Sequence, residues 1–479
     1  MARLRLPALL YPDASELVED MTSPDVLVLG GGMAGLCAAI EAREAGARVL
    51  LVEESPAWRR GGNARHARNM REPHEEPTPF SPRTYPRAEL VEDLYRISAG
   101  LGDPDLIETV ARHAHGLSDW LIARGVALQF PEEGVLPHSR KTVFFLGGGT
   151  AMIRALYREA ERLGVRILFE AEARTVDLNG RTEVLHAGRV LNIRPGATVV
   201  CSGGYQANRK WLQESWGRAA HHLVLRGTKY AMGGPLRDLL DQGVASSGEP
   251  GFGHLVAVDA RSPKWDGGIV TRVEGVQYGI AVTASGRRFF DEGKDVASTR
   301  YGTWGRMALE TSGQLAWAIM DARAAAHFPS PVYPPIEAPT LEELAPVIHM
   351  DPQVLAGEVR EYNSILGAEP DGRRRRLEPP RTRPAPYVVK PPFRAVPFRP
   401  GITFTCYGLK VDSRARVMRL DGYPCETVFA AGMIMAPGVL GRGYVSGAAL
   451  MVAAVFGRIA GRNAARLRGH GLLLPGTRS

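Results

Sequence analysis

The chain has 479 residues, a formal net charge of +8, 44% hydrophobic residues and 23% charged residues. These values are typical of a globular protein of two or three domains with a large core. No apolar stretch reaches the roughly 20 uncharged residues that a membrane helix needs, so direct membrane insertion is not expected. The charge does not indicate nucleic-acid binding, because the segment 372–384 alone supplies six arginines and its prolines are typical of an exposed connector.

The N-terminal segment 1–21 has a short apolar patch that a proline interrupts, and acidic residues follow it. We interpret it as an extension that precedes the first domain, and not as a signal peptide. The four cysteines (Cys37, Cys201, Cys406 and Cys425) form neither a CxxC pair nor a metal-ligand spacing. We therefore expect reduced thiols in a cytoplasmic protein, no metal site, and no iron–sulfur cluster within this chain.

A complete β-α-β unit is predicted over residues 25–54. A strand of apolar residues leads into Gly30-x-Gly32-x-x-Gly35, an alanine-rich helix follows, and a second strand ends at Glu53. The glycines permit a tight turn, a close approach of the backbone to a pyrophosphate, and close packing of helix on strand. An acidic residue at the end of the second strand can accept hydrogen bonds from a ribose hydroxyl. The unit therefore predicts a dinucleotide site.

Two later stretches favour FAD over NAD. Residues 196–208 are a predicted strand that runs into a glycine pair, and residues 426–461 are a strand, a glycine-rich turn and a helix of small residues. A chain that holds FAD along its whole length needs such distant returns to the sheet, whereas a simple NAD domain does not. Between them, the alternation of strands and helices breaks down, which indicates an inserted domain that a flavin enzyme could use as a cap.

Seven stretches in a fixed order carry a family resemblance. Beside the β-α-β unit they are GGNARHARN (61–69), FFLGGGTAMIRALYREAERLGVRILFEAEA (144–173), VVCSGGYQAN (199–208), GRRFFDEG (286–293), PGITFTCYGLKVDSRARV (400–417) and VFAAG…GRGYVSGAALMVAAVFGRIAG (428–461). From about residue 22 onward the chain resembles the flavoprotein subunits of fumarate reductase and succinate dehydrogenase.

The resemblance implies an α/β fold in which an FAD-binding Rossmann-like domain carries an inserted α+β capping domain. We expect an N-terminal extension over 1–21 and the first part of the FAD-binding domain over 22–245. The capping and substrate domain is then expected over 246–385, and the C-terminal part of the FAD-binding domain over 386–479.

The resemblance also implies a reaction. Hydride moves between the flavin and a carbon next to a carboxylate, and a proton moves at the neighbouring carbon, so that a C=C bond forms or is reduced. Within the family, two of the stretches are most similar to the branch of tricarballylate dehydrogenase, which also includes a cobalamin-biosynthesis flavoprotein that acts on a precorrin. The sharpest expectation is oxidation of tricarballylate to cis-aconitate. The alternatives are a precorrin oxidase or hydroxylase, a fumarate reductase or ketosteroid dehydrogenase-like enzyme, and a flavin-bearing scaffold without turnover.

The cofactor site is carried over from the family residue by residue. The chain places Asn63 where succinate dehydrogenases carry the histidine that is linked to the flavin, which implies non-covalent FAD. The expected FAD-binding residues are Gly30, Gly32, Met33, Ala34, Gly35, Glu53, Gly61, Gly62, Asn63, Ala173, Gly203, Gly432 and Gly447.

The expected catalytic residues are Arg442, Arg323, Tyr444 and Arg288. Arg442 matches the C-terminal substrate-binding arginine of the family, and Tyr444 is expected to touch substrate or flavin. Arg323 corresponds only approximately in spacing to the proton-donating arginine of the cap, and Arg288 is a rival to it in the same domain.

Three further residues are expected to bind substrate. Thr403 stands where fumarate reductases have a histidine, and His66 could compensate for its loss. Arg68 lies in RRGGNARHARNMR (59–71), where Arg65, Arg68 or Arg71 could reach either a third substrate carboxylate or the FAD phosphates. The resemblance implies an iron–sulfur membrane protein as electron-transfer partner, so that a cytoplasmic chain would meet the membrane only through this partner.

Overall fold

The computed structural model describes residues 22–131, 139–295, 300–327, 330–367, 376–382 and 385–467. The expected N-terminal extension (1–21) and residues 368–375 and 383–384, which include most of the arginines of the basic connector, lie outside the described residues. Within the described part of the chain, no helix is both long and apolar enough to cross a bilayer.

The strands are numbered in chain order over the described residues. They are β1 (Val26–Leu29), β2 (Val49–Glu53), β3 (Asn69–Arg71), β4 (Leu128–Gln129), β5 (Thr142–Phe145), β6 (Arg166–Phe169), β7 (Ala171–Val176), β8 (Thr182–His186), β9 (Arg189–Ile193), β10 (Ala197–Val200), β11 (Val224–Leu225), β12 (Ser246–Asp259), β13 (Gly279–Thr283), β14 (Ala316–Met320), β15 (Ile336–Ala338), β16 (Phe393–Leu409), β17 (Arg416–Met418) and β18 (Pro424–Ala430).

The α-helices are numbered in the same way. They are α1 (Met33–Glu44), α2 (Arg87–Ser98), α3 (Pro104–His113), α4 (Leu117–Ile122), α5 (Gly148–Arg162), α6 (Arg209–Trp216), α7 (Gly234–Asp241), α8 (Arg300–Leu309), α9 (Leu341–Val347), α10 (Pro352–Gly367), α11 (Pro437–Leu440) and α12 (Ala448–Arg466).

The main sheet has the order β17-β18-β10-β1-β2-β6. All neighbouring pairs are parallel except β17 with β18, which is antiparallel at the edge. Strands β1, β2 and β10 are buried along their whole length, and their residues are apolar except Glu53 and Thr198, as expected for parallel strands covered on both faces. The predicted α/β class is therefore confirmed.

Helices α1 and α12 pack against each other beside this sheet. The contact is close because α12 presents glycines: a Cβ on Gly457 would lie 2.4 Å from the Ala34 carbonyl oxygen, and one on Gly461 would lie 2.2 Å from that of Ala38. The helix of small residues predicted near the C-terminus thus packs directly on the helix that begins at the dinucleotide turn.

A second sheet is built around β16, which pairs antiparallel with β12, β14 and β15 and parallel with β11. Strand β14 in turn pairs with β13. Helix α8 packs on β12 and β16 over one apolar core, and α9 and α10 cover another. Most of these strands come from the segment expected to form the cap.

Strand β16 lies C-terminal to the expected cap boundary at residue 385, yet its first half completes the sheet of the cap. Its second half contacts the FAD-binding part, where Tyr205 N donates to Thr405 Oγ1 at 3.4 Å. A Cβ on Gly408 would lie 2.0 Å from the Ile434 carbonyl oxygen. The domain boundaries stay a prediction, and β16 spans both parts.

Candidate active site

The dinucleotide turn follows β1 and faces the end of β2. Gly30 has a φ of +102°, and a Cβ on Gly35 would lie only 1.8 Å from the Gly30 carbonyl oxygen. The Glu53 side chain crosses the turn: Gly31 N donates to its Oε2 at 2.8 Å and Ser55 N to its Oε1 at 2.9 Å. The sequence spacing of the glycines and Glu53 thus lets this carboxylate accept hydrogen bonds from backbone nitrogens at the turn.

The turn opens into a cavity of about 370 Å³ between the main sheet and the second sheet. Of the expected FAD residues, the cavity is lined by Gly30, Gly32, Met33, Ala34, Glu53, Gly61, Gly62, Asn63, Ala173, Gly203 and Gly432. Gly35 and Gly447 do not line it. They are packing positions, since a Cβ on Gly447 would lie 2.4 Å from the Arg71 backbone nitrogen.

Polar atoms without partners point to a polar ligand in this cavity. Ser202 Oγ, Gln206 Oε1 and Thr403 Oγ1 are buried and have no hydrogen-bond partner among the described residues, and all three residues line the cavity. Buried polar groups are normally paired, so these atoms fit a bound group with many donors and acceptors. Together with the glycine turn, they fit FAD.

The cavity wall near the turn carries several carboxylates. Burial, and then the charges of Glu172 and Glu53, raise the pKa of Glu54 to about 7. All three side chains line the cavity. Glu54 is therefore poised between its neutral and ionised forms near neutral pH.

The segment Gly62–His66 forms a short 3-10 helix against this cavity. The Asn63 amide joins two distant segments, because its Nδ2 donates to the Thr403 carbonyl at 2.6 Å and its Oδ1 accepts from Thr228 N at 2.9 Å. His66 and Arg68 line the cavity, whereas Arg71 is buried in an ion pair with Asp93 at 2.9 Å.

The chain matches the family described as FAD binding domain over residues 25–450. It belongs to that family. It is 27% identical to digoxin reductase of Eggerthella lenta, over 92% of this chain and 87% of the relative. It is 25% identical to the cytochrome-type fumarate reductase of Shewanella frigidimarina, over 92% of this chain and 77% of the relative. It is also 25% identical to NADH:acrylate oxidoreductase of Vibrio harveyi, and spans 51% of that protein.

Solved structures share the fold. The open conformation of a flavocytochrome c3 fumarate reductase matches with a TM-score of 0.74 and 22% identity, over 95% of this chain and 81% of that chain. A 3-ketosteroid-Δ4-(5α)-dehydrogenase of Rhodococcus jostii matches with a TM-score of 0.70 and 22% identity, over 94% and 99%. The chain is thus an FAD-dependent oxidoreductase with FAD as its cofactor, and fumarate reductases are among its relatives. The closer resemblance to tricarballylate dehydrogenase stays a prediction.

An arginine–aromatic cluster lines another part of the same cavity. It consists of Arg226, His254, Arg272, Phe404 and Tyr444. The His254 ring lies 4.2 Å from the Tyr444 ring and 5.2 Å from the Phe404 ring, measured between centroids. Burial, and then the charges of nearby arginines that include Arg226 and Arg272, hold the pKa of His254 well below its usual range. Its imidazole is therefore neutral at physiological pH.

Three expected catalytic arginines lie outside the cavity. Arg442 is 45% exposed, forms an ion pair with Glu249, and places its guanidinium 4.3 Å from the Phe252 ring centroid. Its turn is fixed by Gly443, where a Cβ would lie 2.0 Å from the Ile97 carbonyl oxygen. Tyr444, two residues after Arg442, is the side chain that lines the cavity.

The two arginines expected in the cap are both paired there. Arg323 is 49% exposed, and its Nε donates to Asp321 Oδ2 at 3.0 Å. Arg288 is buried, with its Nη2 2.8 Å from Glu292 Oε2, and Arg381 binds the same carboxylate at 2.6 Å. Each pairs with a local carboxylate, and neither residue lines the cavity.

Sequence reasoning missed Arg226, His254 and Arg272. His254 belongs to β12, whose register against β16 shifts on both sides of it, between Gly248 and Gly253 and between His254 and Leu255. The glycines before His254 were the available signal, because glycine inside a strand often marks such irregularities. Arg226 and Arg272 stand in irregular segments without a comparable signal.

Proposed function

We propose that the protein catalyses the two-electron oxidation or reduction of a carbon–carbon bond next to a carboxylate, in an organic acid with more than one acidic group. The observation that supports this is the arginine–aromatic cluster, where Arg226 and Arg272 line the FAD cavity beside His254 and Tyr444. Guanidinium groups are suited to carboxylates because their planar fork can make two parallel hydrogen bonds.

FAD, when bound, supplies the hydride transfer between its ring and the substrate carbon. Arg226 and Arg272 would orient the substrate carboxylates and stabilise the negative charge that develops next to the reacting carbon. His254, which is neutral, would hydrogen-bond a substrate oxygen without adding charge. The Tyr444 hydroxyl is the acid–base candidate of the cluster for the proton at the neighbouring carbon. Arg68 would hold a further carboxylate.

The names of four relatives agree with this substrate class. Acrylate, fumarate and urocanate, which occur in the names of these relatives at 24 to 25% identity, are all carboxylates conjugated with a C=C bond. Tricarballylate, oxidised to cis-aconitate, remains our specific candidate, because Arg68, Arg226 and Arg272 could each meet one of its three carboxylates. A precorrin, which also bears many carboxylates, is the second candidate. A neutral steroid offers no carboxylate to these three arginines.

We also propose that FAD is held without a covalent bond and that a separate partner carries electrons. Asn63 offers an amide, which is not a nucleophile, at the position where succinate dehydrogenases carry the histidine that is linked to the flavin. One relative is named a cytochrome-type fumarate reductase and two are named NADH oxidoreductases, so the relatives use different electron carriers by name. An iron–sulfur protein at the membrane remains our candidate for this chain.

The test is an anaerobic titration of FAD-loaded protein. We expect tricarballylate to bleach the oxidised flavin absorbance and cis-aconitate to restore it, with fumarate and acrylate as smaller acids. Androst-4-ene-3,17-dione and a precorrin serve as competing candidates. Bleaching by the steroid alone, or by none of the acids in either direction, would contradict the proposal.

A further inference from the structure

A loop of the cap reaches the wall of the FAD cavity at Asp266. The loop is attached to the FAD-binding part by backbone hydrogen bonds, since Asp266 N donates to the Gly227 carbonyl at 2.8 Å and Gly268 N donates to the Arg226 carbonyl at 2.9 Å. Asp266 has a φ of +63°, a conformation in which aspartate and asparagine are tolerated better than most residues. The loop is therefore fixed on both sides of this side chain.

The Asp266 carboxylate lies next to three basic side chains of the segment 59–66, those of Arg59, Arg65 and His66. Its Oδ2 accepts from Arg59 Nη1 at 2.8 Å and lies 3.7 Å from Arg65 Nη1, while its Oδ1 is in contact with His66 Nε2. Only 13% of the Asp266 side chain and 18% of the His66 side chain are exposed. Burial raises the pKa of Asp266, but the hydrogen bond from His66 and the charges of His66, Arg65 and Arg59 outweigh it and lower that pKa.

His66 is the member of this group that lines the FAD cavity. The opposite side of its ring is confined by Gly268, where a Cβ would lie 2.7 Å from His66 Nδ1. Arg59, by contrast, lies between two aromatic rings, with its guanidinium 4.3 Å from the Trp58 centroid and 4.1 Å from that of Trp265. The imidazole is thus held between a carboxylate and a glycine of the same cap loop.

We propose that Asp266 is a positioning residue that acts through His66, so that the imidazole takes its working orientation in the cavity wall only when the cap loop is in place. A ring fixed in this way contributes to substrate binding without the entropic cost of ordering it. Arg68 and Arg226 line the cavity beside it, so the substrate would meet His66 within a basic wall. The kinetic part of this inference rests on the proposed function.

The first test is Asp266→Asn in FAD-loaded protein. Asparagine keeps the shape and tolerates the positive φ, so the variant removes the charge with little backbone strain. We expect KM for the acid that bleaches the flavin to rise roughly tenfold or more, because one partner of a mostly buried ion pair is lost, with kcat within threefold. The matched control is Glu249→Gln, which removes another ion pair between the two parts, that with Arg442. Neither member of that pair lines the cavity. We expect this control to leave KM unchanged.

The second test is a double-mutant cycle with His66→Gln. If Asp266 acts through His66, the double variant has the same KM as His66→Gln alone, because the carboxylate then has no imidazole to position. If the two effects multiply, Asp266 acts independently of His66 and the inference is wrong. Equal KM values for Asp266→Asn and Glu249→Gln would also overturn it.

A third measurement does not depend on the substrate. Iodide quenching of flavin fluorescence reports access to the cofactor, and we expect the quenching constant to at least double in Asp266→Asn and to stay unchanged in Glu249→Gln. If no acid turns over in the unmodified protein, the proposed function fails while the quenching comparison still decides the role of Asp266 in the wall. Equal quenching in both variants would overturn that role.

Discussion

The two parts of the FAD cavity are built in different ways. The dinucleotide turn consists of backbone atoms from one continuous stretch, in which Gly30, Gly35 and Glu53 lie within 24 residues of one another. The arginine–aromatic cluster consists of side chains from five positions between residues 226 and 444, which belong to different strands and loops. The first part needs residues with no side chain or a small one, whereas the second needs particular side chains that the whole fold brings together. A change in the turn should therefore destroy the site, and a change in the cluster should alter only its chemistry.

The largest effect is expected for Gly35→Ala. The new Cβ would lie 1.8 Å from the Gly30 carbonyl oxygen, and this overlap with backbone can be relieved only by moving helix α1 away from the turn. We expect a loss of about 3 kcal/mol or more in the free energy of unfolding, together with loss of bound flavin. The flavin-to-protein absorbance ratio and urea unfolding measure this. Gly357→Ala is the control, because no atom lies within 4 Å of its Cβ position in α10. A Gly35→Ala protein with full flavin content would show that the turn is not a tight constraint.

A smaller and different effect is expected for Arg226→Gln. This change removes a charge from the cluster and leaves the turn intact, so flavin content should be unchanged while kcat/KM for the substrate acid falls by about 100-fold. Arg442→Gln is the matched control, because its ion pair with Glu249 is partly exposed and such pairs contribute about 0.5 kcal/mol to stability. Equal losses of activity in the two variants would favour the sequence-based assignment of Arg442 to the substrate.

The smallest effect is expected for Glu54→Gln, and it depends on pH. The pKa of Glu54 is raised to about 7 from an ordinary value of 4.5, so its stabilising contribution is complete below pH 4.5 and is lost as the pH rises through 7. We expect flavin-depleted protein to gain about 1 kcal/mol from Glu54→Gln at pH 8, because solvent around the partly exposed carboxylate reduces the cost of its ionisation, and almost nothing at pH 4.5. Urea midpoints at the two pH values measure the difference. An equal gain in stability at the two pH values would show that ionisation of Glu54 is not the cause of the gain.

The sequence was sufficient for the dinucleotide part because its signals are local. The glycine spacing, the apolar strands and Glu53 each reflect a contact made within one β-α-β unit. The distant returns of β10 and β18 to the sheet were also predicted, since each carries its own glycine-rich turn. The predicted FAD cofactor and α/β fold, which follow from these signals, are confirmed.

The cluster could not be predicted in the same way. Arg442 and Tyr444 are two residues apart in a glycine-rich turn. Of the two, Tyr444 lines the cavity, and Gly443 between them packs on Ile97. Arg323 and Arg288 have carboxylate partners, Asp321 and Glu292, that lie two and four residues away in the sequence. Such short-range partners were visible, but they do not by themselves exclude a substrate role. Arg272 also pairs with a nearby acid, Glu274, at 2.7 Å, and still lines the cavity. The roles of these residues stay predictions, and the variants above test them.

Strand β16 has a consequence for how the protein loses its structure. Its first half is the central strand of the cap, and its second half packs on the segments that carry the FAD turn. Neither part can melt without taking a strand from the other, so thermal unfolding should occur in one cooperative transition despite the two sheets. A fragment cut at residues 246–385 would lack this strand and would expose the apolar edges of β12 and β14, which makes it prone to aggregation.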